Sequence, residues 1–155
     1  MKRVKAVKAV KEVNEPPSEV ASAFDAFPAQ PKLKLLQLRK LIYSTAAGNS
    51  SIGPLIETLK WGQPAYLPKK PRVGTTIRLG YSDKTPSKIH MFVHCQTTLV
   101  DTYRTLLGSE PDELLSFEGN RAIVIAREPA LPKAPLALCI EAALTYHLNK
   151  HPFKK

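Results

Sequence analysis

At 155 residues with 43% hydrophobic content, the chain has the size of one globular domain, enough to bury roughly 70% of the surface its unfolded form would expose. No run approaches the roughly 20 apolar residues of a membrane span, the N-terminus lacks the apolar stretch and cleavage site of a secretory signal, and Cys95 and Cys139 are too few and too far apart for a disulfide framework or closed zinc site, so a cytoplasmic protein with free thiols and no membrane partner is expected. The net charge of +10 favours an anionic or acidic macromolecular partner by long-range attraction, although charge of this size also simply keeps a small protein in solution.

Residues 1–19 hold five Lys/Arg against three Glu, repeat valine every third residue and contain Pro16-Pro17. That composition predicts a basic, flexible tail ahead of one domain over 20–155. A short helix is expected from Val20 to about Ala26, because Pro28 disfavours helical geometry at Phe27. The next is clearer. Pro31 suits the first helical position, Leu35, Leu38, Ile42 and Ala46 recur on one face, and Gly48-Asn49 reads as a left-handed stop. Pro54 to Thr58 reads as a further helical turn.

The period then changes from helical to alternating. Gly74–Tyr81 and Lys88–Cys95 read as antiparallel strands joined by a polar turn. In the second, Ile89, Met91, Val93 and Cys95 share one face, while His90, Phe92 and His94 share the other. Thr98 with Asp101 resembles a capping box for a helix that carries Leu99, Val100, Tyr103 and Leu107 and stops at Gly108. Two segments around Gly119-Asn120 predict a second hairpin with a two-residue loop. Pro135 opens a last helix, with Leu136, Ile140, Ala143 or Leu144, and His147 at helical spacing. This order predicts an α+β fold with helices packed on one side of a largely antiparallel sheet.

Chemistry is sparser. His90 and His94 lie about 13 Å apart along one strand face, too far for one ion, and Pro152 breaks the helical spacing of His147 and His151. No metal site is assigned, and no cofactor. Cys95 precedes a helix start, where a thiol can be activated, but its strand face is the apolar one and His94 points away from it. Phosphate loops, nucleophile elbows and zinc-protease pairs are lacking. The remaining constellation joins Glu57, Lys60, Trp61, Gln63 and Tyr66 to Arg78, Arg104, Asn120 and Arg121. Aromatic faces mixed with anion-binding groups suit a pocket for a small polar or anionic ligand. The alternative is that Trp61 and Tyr66 are core or edge aromatics, with the arginines paired to Glu57 and Glu118.

The run Glu57–Tyr66 (ETLKWGQPAY) follows the Leu38–Ile42 helix and precedes the Ile77–Gly80 strand. Together with Phe117–Ile123 (FEGNRAI), it resembles the YdhG-like family, catalogued as a domain of unknown function. The resemblance covers roughly 20–150, and Lys-Trp-Gly-x-Pro-x-Tyr is its most specific piece. It implies an α+β domain and, through a frataxin-like relative, an intracellular iron chaperone. The folded part here is basic and shows no acidic ridge. A non-catalytic ligand-binding module, monomeric or homodimeric, is therefore the first expectation; iron delivery and an enzyme using Cys95 are the alternatives.

Overall fold

The computed structural model describes residues 14–94, 99–107, 115–119, 121–127 and 130–149. Among the described residues, five helices, α1 (Ser18–Asp25), α2 (Ala29–Ala47), α3 (Leu99–Leu107), α4 (Lys133–Leu144) and the single turn α5 (Tyr146–Asn149), accompany six strands. The strands are β1 (Leu55–Lys60), β2 (Gln63–Pro68), β3 (Ile77–Gly80), β4 (Lys88–Phe92), β5 (Leu115–Glu118) and β6 (Ala122–Ala126). They form one antiparallel sheet in the order β1-β2-β3-β4-β6-β5. The expected α+β architecture is the one observed.

Periodicity explains the layers. In α2, Leu35, Leu38, Ile42 and Ala46 are all buried, a stripe that meets α4 and β4. Each large aliphatic side chain there contributes about 1.5–3 kcal/mol on leaving water. In α1, Val20 and Phe24 stand one turn apart, both buried, and the helix packs on β1 and β2. The sheet supplies Tyr66, Ile77, Leu79, Ile89, Met91, Ile123 and Ile125 to the same core, and Val93 joins them just past β4. Alternation sends the intervening residues to the opposite face, where the register aligns Ala65, Arg78, Phe92 and Ala122 in one row across four strands.

Several elements differ from expectation. Pro54–Thr58 is not helical: Leu55 starts β1, whose six residues all pair with β2, because cross-strand bonding satisfies more backbone groups than one isolated turn would. At Gly48 the backbone stays right-handed (φ −83°). Its N–H still bonds Ser44 and Thr45, and Asn49 N–H continues to Ala46, so α2 runs out through one more turn. Glu118 pairs with Ala122, which gives the second hairpin a three-residue loop. The last helix ends at Leu144, after which Thr145 leaves helical geometry (φ −118°) and His147 stands exposed in α5.

Residues 1–13 of the expected tail, Cys95, Thr98, Gly108, Asn120, His151 and Pro152 lie outside the described residues. The Asn14 carbonyl accepts from Arg39 (2.7 Å), and Ser18 begins α1.

Candidate anion-binding site

The β1–β2 hairpin closes with Lys60 opposite Gln63, leaving Trp61 and Gly62 as its two-residue turn. Both are left-handed, at φ 57° and 77°, as a type I′ turn requires. Glycine adopts that geometry freely, whereas a residue with a Cβ is disfavoured by roughly 1–2 kcal/mol, and asparagine is the side chain best suited to the first turn position. Trp61 accepts this strain and recovers little by burial, being 87% exposed. Trp61→Asn should therefore stabilise the fold by about 1 kcal/mol. Urea unfolding checks this, with a midpoint above the parent's as the expected outcome and an unchanged or lower one as the contrary.

Trp61 lines a cavity of about 500 Å³ together with Lys60, Thr76, Arg78, His94 and Arg121. Alternation assembles it. Arg78 occupies the row containing Phe92, and two residues along the same strand lines Thr76 and His94 follow on that face. Lys60 ends β1 and Arg121 immediately precedes β6. Arg78 is held from two directions: it donates to Gln63 Oε1, and its guanidinium lies 5.2 Å from the centre of the Phe92 ring. Phe92 also stacks on His90 at 5.5 Å. Burial lowers the His90 pKa against the opposing pull of Glu118.

Of the expected site residues, Lys60, Trp61, Arg78 and Arg121 meet at this cavity, and Gln63 supports Arg78. Glu57 and Tyr66 do not. They are cross-strand neighbours on the helix-facing side, where Glu57 is the centre of a buried polar cluster. Arg39 donates Nε to Oε2 at 2.6 Å and Nη2 to Oε1 at 2.9 Å, while Tyr43 reaches Oε1 at 3.1 Å and Tyr66 reaches Oε2 at 2.7 Å. The Arg39 and Glu57 side chains are only 8% and 7% exposed.

Burial alone would raise the Glu57 pKa, but the bonds from Arg39 and Tyr66, the Arg39 charge and the Tyr43 bond together hold it below the ordinary carboxylate value. Burial also opposes the charge on Arg39, and Glu57 more than compensates. Burial, then the Glu57 charge and bond, push Tyr43 up to about 12. Tyr66 is raised further by burial and its bond to Glu57. The phenols thus remain donors. This cluster is structural, tying α2 to the first hairpin.

Arg104 is likewise displaced from the expected site. It donates to Asp101 at 3.3 Å and to the Gly119 carbonyl at 3.1 Å, with its guanidinium 5.7 Å from the Phe117 ring centre, so it anchors the second hairpin loop to α3. Sequence reasoning omitted Thr76 and His94 from the site, although alternation from Arg78 and Phe92 already carried both to the same face. It also omitted Arg39, whose place beside the α2 stripe was the available signal. Cys139 is buried, which pushes its thiol up to about 12. Among the described residues, no three His, Cys, Asp or Glu side chains form a group able to hold a metal, and no helix is long and apolar enough to cross a membrane.

No protein-family model, curated protein or solved structure matches the chain.

Proposed function

We propose that the protein is a binding module for a small anionic ligand held in the cavity beside the first hairpin. The observation that carries this reading is the composition of the lining: Lys60, Arg78 and Arg121, with His94, Thr76 and an exposed Trp61, and no carboxylate among the described lining residues. Like charges held around one concavity repel one another, and an anion relieves that repulsion. Arginine adds a planar fork suited to carboxylate or phosphate oxygens. The volume falls within the roughly 300–1,000 Å³ range of small-ligand pockets.

The cargo in this reading differs from the iron implied by the YdhG-like resemblance. Iron favours carboxylate and imidazole ligands, and of these the described lining offers only His94. Three strong cations nearby would oppose the approach of a further one.

Trp61 is the chain's only tryptophan, so its fluorescence reports directly on the cavity. Titration with inorganic pyrophosphate at low salt should give a saturable change whose midpoint moves to higher concentration as salt is added. Arg78→Ala should weaken binding by about 10- to 100-fold, as expected for loss of a charge-assisted contact. No saturable response into the millimolar range, confirmed by calorimetry, would remove this function.

A further inference from the structure

We infer that the ligand is a mononucleotide, its base stacked on Trp61 and its phosphates held by the cations of the cavity; this rests on the anion-site reading above. The turn residue is the starting point. Trp61 occupies a left-handed position where asparagine or glycine would be easier (φ 57°), and the residue is 87% exposed. No ring stacking or cation–π contact engages it among the described residues. A large apolar surface held in water at a strained turn gives the fold little in return, but it is what a planar base requires.

The neighbouring cations narrow the class. Aromatic side chains also bind ammonium groups, but a lining with Lys60, Arg78 and Arg121 would repel such a ligand. A molecule with a planar aromatic end and an anionic end satisfies both halves of the site, and a nucleotide combines them within a few ångströms.

A single base is favoured over a strand. Sequence-tolerant binders of single-stranded nucleic acid offer successive aromatic platforms along a basic groove. Here the other aromatic on this sheet face among the described residues, Phe92, is engaged by Arg78 and His90, which leaves Trp61 as the one bare platform among them. The cavity of about 500 Å³ also suits one nucleotide better than a run of them.

Calorimetry on the full chain with ADP, inorganic pyrophosphate, adenosine and decathymidylate separates the outcomes. ADP should bind roughly 5- to 150-fold more tightly than pyrophosphate, the range that base stacking supplies, and adenosine should bind weakest. Trp61→Asn, which preserves the turn, should abolish the advantage of ADP, so that ADP and pyrophosphate bind that variant equally. Lys60→Ala should weaken both. Equal affinity for ADP and pyrophosphate in the parent would overturn base recognition while leaving the anion site intact. Absence of binding by every probe would overturn both readings. Decathymidylate binding more than tenfold tighter than ADP would overturn the mononucleotide in favour of a strand.

Discussion

Glu57→Ala should destabilise the fold by about 3–5 kcal/mol, the range for removing one partner of a buried charge pair. The loss follows from what remains. Arg39 would keep its charge at 8% side-chain exposure with the Asn14 carbonyl as its remaining hydrogen-bond acceptor among the described residues, and the Tyr43 and Tyr66 hydroxyls would lose the acceptor they share. Denaturant unfolding measures the effect directly. A loss below about 1 kcal/mol, the value of an exposed pair, would show that water reaches the cluster and replaces Glu57 there.

The same cluster sets a pH dependence. Because the folded pKa of Glu57 is depressed from 4.5, the unfolded chain binds its proton first on acidification. The associated stability is complete above the unfolded value and is lost as pH falls through the folded one. Tyr43 acts at the other limit. Its folded pKa is raised from 10.0 to about 12, so its contribution is present below pH 10 and declines as pH rises from there toward 12. Glu57→Gln should flatten the acid limb of a stability–pH profile relative to the parent.

Gly74→Ala should cost about 3 kcal/mol, at the upper end for overpacking. An added Cβ would fall on the Leu144 carbonyl, with the Leu144 Cα only 2.6 Å away. The obstacle is backbone, which no rotamer change relieves. The segment is also pinned on both sides, by Thr75 N–H to the Ala143 carbonyl and His147 N–H to the Val73 carbonyl, each at 2.9 Å. Relief therefore requires separating the loop before β3 from the end of α4. Gly48→Ala is the matched control: its Cβ would lie 3.6 Å from the nearest carbonyls, and its right-handed backbone accepts alanine. Unfolding midpoints should fall sharply for the first variant and stay level or rise for the second.

The α2 stripe and the two faces of β4 were legible because each depends on spacing within one segment. Leu35, Leu38 and Ile42 are buried as their period demands, and Ile89 and Met91 oppose His90 and Phe92 across the strand as alternation requires. The first hairpin was harder to read. Pro54 suggested a helix start, and β1 places a carboxylate, Glu57, on the face that would normally be apolar. That exception is intelligible only with Arg39, 18 residues earlier, bonded to it.

By itself, the sequence determined the α+β class and most helices and strands, because periodicity, turn chemistry and alternation are local properties of the chain; it offered Lys60, Trp61, Arg78 and Arg121 as site candidates without separating them from Glu57, Tyr66 and Arg104. Only the tertiary structure decided which charged groups face a cavity and which neutralise one another. Glu57 and Tyr66 belong to a buried cluster, Arg104 to a loop anchor, and Thr76 and His94 to the candidate site. The reason is distance: a hydrogen bond or ion pair forms over about 3 Å between elements far apart in sequence, and residue order alone does not specify which partners come that close.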